Sequence, residues 1–87
     1  MSSAKIPITH RQIVAARELL GLNQAQLAVA VGMLPQALSR IESGKVKPRR
    51  ESLSRIISTL ERLGVEFING TGVKLKSPPA EAPTAND

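Results

Sequence analysis

Gln36, Ser39 and Arg40 are the residues of this 87-residue chain whose types and spacing best suit contact with another molecule's polar groups. Separations of three and four put them on one face of a helix, where all three can hydrogen-bond outward. Leu38 and Ile41 lie three apart and share the inward face. From Arg40 to Arg50 the chain carries five basic residues (Arg40, Lys45, Lys47, Arg49, Arg50) and one acid, Glu42. The formal net charge is +5 and the pI about 10.5. That balance favours a polyanionic partner, nucleic acid or an anionic membrane surface.

Most other chemistries find no residues to run on. The chain has no cysteine, which excludes disulfides, thiolate zinc sites and a cysteine nucleophile. His10 is the single histidine and cannot build a histidine metal site alone. It is expected on the surface, in the first turn of a helix, with no catalytic role. No nucleophile–base pair, metal cluster or phosphate loop is visible, so neither an enzyme, a cofactor nor a small-molecule ligand is expected. One Phe and no Tyr or Trp leave no platform for stacking unpaired bases, which argues against a single-strand or RNA-loop binder. No apolar run approaches a membrane span, and the opening MSSAKIPITH lacks a signal-peptide core. Nor does a basic amphipathic helix with bulky apolar residues stand out for a membrane surface. The expectation is a cytoplasmic, nucleoid-associated protein.

The elements that must position these side chains read as follows. Residues 1–8 form a short arm, with Pro7 blocking helix. Thr9 caps a first helix, Gln12 completes a capping box, and the helix runs to about Leu20 with Ile13, Val14 and Leu20 inside. Gly21 ends it. Asn23 and Gln26 repeat the device for a second helix, which ends at Val31–Gly32. In that helix the small Ala28 allows a close crossing, and Gly32 suits a left-handed turn. Pro35 belongs in the first turn of a third helix, where its missing N–H costs nothing, and Gly44 stops that helix after about Ser43. A fourth helix spans roughly Glu51 to Leu63, with an apolar stripe of Leu53, Ile56, Ile57, Leu60 and Leu63. Residues 65–68 and 73–76 then alternate as strands around a turn at Asn69-Gly70-Thr71-Gly72. From Ser77 the Pro- and Ala-rich tail, 77–87, should be disordered. The fold class is mainly α: a domain of about four helices over 9–63, closed by a β-hairpin over 64–76. Two short helices at a sharp angle, the second with a polar, partly basic outer face, make a helix-turn-helix over 24–43, whose second helix fits the DNA major groove.

The segment GLNQAQLAVAVGMLPQALSRIESGK closely resembles the DNA-binding domains of phage repressors and Cro, the lambda-repressor-like or XRE-type helix-turn-helix regulators. The resemblance covers Ile13 to about Leu60. Gln24, Ala28, Gly32, Leu38, Ile41, Glu42 and Gly44 all fall at the family's spacing, and Arg17 and Glu42 match a pair that forms an internal salt bridge in relatives. It implies that Gln24 bonds a DNA phosphate and helps hold the recognition helix. Gln36, Ser39 and Arg40 match positions that read base edges; Ser43, Lys45 and Lys47 match backbone contacts. The chemistry agrees, since Gln pairs with adenine N6/N7, Arg with guanine O6/N7, and lysines meet phosphates without reading sequence. Arg49 and Arg50, clustered beside the same helix, are expected on phosphates too, with a reach of either into a minor groove as the alternative. Two departures stand out. Met33-Leu34-Pro35 occupies a helix start that is usually polar, and Leu34 cannot cap through a side-chain oxygen. It is left to meet a thymine methyl or a partner subunit. The hairpin replaces the fifth helix common in phage relatives.

The resemblance implies a homodimer on an inverted repeat, regulating transcription in a phage, plasmid or other mobile element. An open strand edge invites pairing with its copy. Val65, Phe67, Ile68, Val73 and Leu75 are therefore candidate dimer residues, with the stripe of the fourth helix as an alternative contact, beside the bland reading that Phe67 and its neighbours cover the core's open end. The alternative function is an antitoxin or adaptor that binds DNA together with a partner protein.

Overall fold

Thr9 and Asn23 start the first two helices by the same device. The Thr9 side chain accepts from the Gln12 N–H while the Gln12 side chain accepts from the Thr9 N–H, and Asn23 and Gln26 repeat the exchange. Each box satisfies donors that a helix start otherwise leaves orphaned. In the computed structural model, which describes residues 8–68 and 72–76, the elements run α1 (His10–Leu19), α2 (Gln24–Val31), α3 (Pro35–Glu42), α4 (Arg50–Arg62), β1 (Val65–Ile68) and β2 (Gly72–Leu75). The expected arm and tail, and most of the expected hairpin turn, lie outside the described residues.

The turn between α2 and α3 depends on Gly32, whose φ of 88° is left-handed. The Met33 N–H donates back to the Ala28 carbonyl at 2.9 Å and closes the α2 end. Pro35 then opens α3 after Leu34, which makes no side-chain cap bond.

The core gathers one face from every element. Ile13 and Ala16 of α1, Leu27 and Ala28 of α2, Leu38 and Ile41 of α3, and Ile56 and Leu60 of α4 are all buried, together with Val65 and Phe67 of β1. The alanines at 16 and 28 are fully covered. Three expectations shift. Ile8, assigned to the arm, is buried in the core. In α1 the covered apolar residues are Ile13 and Ala16, while Val14 is only half-buried. Leu63 leaves the α4 stripe and is 44% exposed, because the helix has ended and turned at Gly64.

The hairpin closes the open end of the helical core. β1 and β2 pair antiparallel with Val65 opposite Leu75, Glu66 opposite Lys74, Phe67 opposite Val73 and Ile68 opposite Gly72. β2 begins one residue earlier than the alternation suggested. The Lys76 N–H donates to the Gly64 carbonyl at 2.7 Å. Hydrogen-bonded pairs recur every second residue in such a ladder, so Glu66–Lys74 and Ile68–Gly72 are the bonded pairs. The backbone groups of Val73 and Leu75 therefore point away from β1, and among the described residues they meet no hydrogen-bond partner.

Gln12 ties this hairpin to α1. Its Oε1 accepts from Thr9 N at 3.0 Å, and its Nε2 donates to the carbonyls of Ile68 at 3.3 Å and Gly72 at 3.1 Å. One buried amide thus serves both as helix cap and as bolt across the hairpin mouth.

Candidate nucleic-acid interface

α3 is divided lengthwise. Leu38, Ile41 and Glu42 are buried, whereas Gln36, Ser39 and Arg40 are exposed on the other side. The three expected base readers thus share one outward face, and the helix that carries them is fixed from behind.

The fixing is concentrated at the α3 C-terminus. Glu42 Oε2 accepts from Arg17 Nε at 2.9 Å, and Glu42 Oε1 accepts from Gln24 Nε2 at 2.8 Å. Arg17 is held in turn, donating through its Nη1 to the Leu22 carbonyl at 2.8 Å. The Glu42 side chain is only 3% exposed and Arg17 14%, so the pair is largely shielded from water. A desolvated carboxylate needs that many donors to remain favourable. One carboxylate therefore joins α1, the start of α2 and the end of α3.

His10 adds a fourth tie. Its Nδ1 donates to the Glu42 backbone carbonyl at 3.0 Å. His10 does lie in the first turn of α1, as expected, but not on the open surface: it is half-buried, with its ring against the end of α3. It also lies against Gly44, where an added Cβ would meet His10 Nε2 at 2.9 Å. Gly44 has φ 81°, so both its backbone and its neighbour call for a residue without a side chain.

Gln24 sits at the first position of α2 with its amide nitrogen on Glu42. An amide nitrogen carries two hydrogens, and among the described residues the second meets no acceptor. Ser43 is exposed and donates its hydroxyl to the Arg40 carbonyl at 3.1 Å. The same carbonyl accepts from Lys45 N at 3.0 Å, which folds the start of the basic loop back onto α3. Lys45, Lys47, Arg49 and Arg50 are exposed and, among the described residues, enter no ion pair. They form an uncompensated positive rim running from the end of α3 to the start of α4. Phe67, the chain's one aromatic residue, is buried and out of reach of any base.

The five hairpin residues separate into two groups. Val65 and Phe67 face the chain's own core and are buried, which corrects their assignment to a subunit contact; strand alternation gives them to the interior. Val73 is half-buried, and Ile68 and Leu75 are 44% and 48% exposed. Sequence reasoning missed the long reach of Gln12 and the seat of His10. Their local signals, a capping box and a helix first turn, say nothing of partners 32 to 60 residues away. Among the described residues no cluster of His, Cys, Asp or Glu could hold a metal ion, and no helix is long and apolar enough to cross a membrane.

Comparison with known proteins agrees with this geometry. A family model described as Helix-turn-helix matches residues 13–67, well over half of the chain. A Haemophilus influenzae protein described as an uncharacterized HTH-type transcriptional regulator is 30% identical over 50 residues, covering 58% of this chain and 51% of that relative. The chain thus matches about half the length of that curated relative.

Proposed function

Because the chain belongs to the XRE-type, Cro/repressor-like helix-turn-helix family, we propose that it is a transcriptional regulator that binds double-stranded DNA by sequence, as a homodimer on inverted-repeat operators. The observation that carries this reading is the lengthwise division of α3, buried through Leu38, Ile41 and Glu42 and open through Gln36, Ser39 and Arg40. In the helix-turn-helix mode the second helix enters the major groove and presents its N-terminal residues to base edges. Gln36 and Arg40 then suit adenine and guanine respectively, and Ser39 either. Gln24, Ser43 and Lys45, which bond to α3, and the exposed Lys47, Arg49 and Arg50 that follow in the chain take the phosphates. These contacts position the protein and make binding salt-dependent without reading sequence.

The dimer is assigned to the outer edge of β2. Burial of the hairpin's inner face declines from Val65 and Phe67 to Val73 and then Leu75, so among the described residues nothing covers that side of the sheet. A second copy adding its own β2 would satisfy the backbone groups of Val73 and Leu75 that meet no partner among the described residues, and would cover the Leu75 side chain. An inverted repeat calls for the two recognition helices to lie about 34 Å apart, one turn of DNA.

The test is sedimentation of the purified protein, alone and with a randomised duplex pool, followed by sequencing of the retained DNA. A dimer that enriches a two-fold symmetric site supports the proposal. A protein that retains no particular sequence overturns it and directs attention to a protein partner at the hairpin. Replacing Lys45 and Lys47 together with Ala should leave the preferred site unchanged and flatten the logarithmic salt dependence by about 0.9 per lost phosphate contact. An unaltered slope would remove the loop from the interface.

A further inference from the structure

We propose that Leu34 is a specificity-determining residue of this interface, reading the C5-methyl group of a thymine; the inference rests on the duplex-binding role proposed above. Leu34 is the N-cap of α3, in extended backbone (φ −76°, ψ 143°), with no side-chain cap bond. The following Pro35 restricts that backbone, so the side chain is held at a defined place over the helix start. Met33, one residue earlier, packs against the core, but Leu34 does not, and its side chain is 68% exposed. An apolar residue thus stands where a short oxygen-bearing side chain would serve the fold better.

The place matters because a helix-turn-helix meets base edges with the N-terminal end of its second helix. The N-cap is the foremost residue of that end, with Gln36 two positions behind it. In the major groove the base edges offer hydrogen-bond donors and acceptors, and one apolar group, the thymine methyl. A leucine pressed on any other base would bury a donor or acceptor that it cannot satisfy. Leu34 therefore favours thymine by attraction and disfavours the other bases by leaving them unpaired. Neither Gln36, Ser39 nor Arg40 can supply that preference.

The experiment starts from the site enriched from the randomised duplex pool. Each thymine in one half-site, and its symmetry mate, is replaced in turn by uracil, which lacks only the methyl. For the wild-type protein one position should show a loss of roughly three- to fivefold per methyl, the worth of burying one such group. Leu34→Ser should bind with the same sensitivity to salt but no longer distinguish thymine from uracil at that position. Its restored cap keeps α3 folded, so a loss of discrimination cannot be ascribed to unfolding. A site in which every thymine is replaceable by uracil without effect overturns this inference and leaves the duplex-binding role standing. So does a Leu34→Ser protein that still discriminates. A pool that yields no site overturns both.

Discussion

The two ends of α3 are built on opposite principles. At its C-terminal end Glu42 takes bonds from Arg17 and Gln24, its carbonyl takes one from His10, and Gly44 lets the chain turn away under the histidine ring. At its N-terminal end there is no side-chain cap and a leucine faces outward. The first end is satisfied entirely by groups of the chain itself. The second leaves its polar and apolar valences for something else. A reading helix needs this asymmetry, since contacts to bases are useful only when the side chains that make them are held in place by groups not themselves in the groove.

The comparison is broken most directly at Glu42. Glu42→Ala strands the Arg17 guanidinium and the Gln24 amide. Loss of one partner of a buried pair costs about 3–5 kcal/mol, and the low end applies because Arg17 keeps some exposure. For a domain of this size that is a fall in Tm of roughly 12–24 °C. A change of only a few degrees in thermal unfolding would show that the C-terminal end is not the fixed one. Gln12→Ala comes next, at about 0.5–1.5 kcal/mol for each hydrogen bond it removes between α1 and the hairpin. Its effect should fall on the hairpin first, as faster hydrogen exchange in β1 and β2 with α3 little changed. Uniform acceleration through α3 would mean that hairpin and reading helix are one cooperative unit.

How much of this was legible in the sequence follows the same division. Thr9, Gln12, Asn23 and Gln26 announce their helices because a capping box is complete within four residues. The outward face of α3 is legible from spacing alone, since Leu38 and Ile41 name the face opposite. The Arg17–Glu42 link came from family resemblance, and nothing local in either residue predicts it. The third arm of that cluster, His10 on the Glu42 carbonyl, is a contact between a side chain and a distant backbone group, which no pattern of side chains encodes. The hairpin was legible as alternation. Which of its residues close the core, and which stay open, depends on how far the helices extend beneath it, and that is a property of the packed fold. Hence Val65 and Phe67 moved to the interior while Leu75 did not.

Two glycines sharpen the contrast at the anchored end. Gly32 and Gly44 have similar positive φ, 88° and 81°, but a Cβ at Gly32 would meet nothing within 4 Å and one at Gly44 would strike the His10 ring. Gly32→Ala should cost the left-handed strain alone, about 1–2 kcal/mol. Gly44→Ala should cost that strain and the contact with His10, and placing it on a His10→Ala background should return it to the Gly32 figure. Equal costs in the wild-type background would show that His10 yields freely and does not hold the helix end.

The smallest effect belongs to the open end, and its sign is the informative part. Leu34→Ser supplies the missing cap oxygen and should stabilise the fold by about 1 kcal/mol. No core contact is lost, because Leu34 is not among the residues packed there. A rise in Tm of roughly 4–8 °C would follow for a domain of this size. Substitutions that raise stability while removing a preference for particular DNA mark a residue kept for what it touches rather than for what it supports. A fall in Tm would place Leu34 in the structural scheme of the opposite end, and the asymmetry of α3 would disappear.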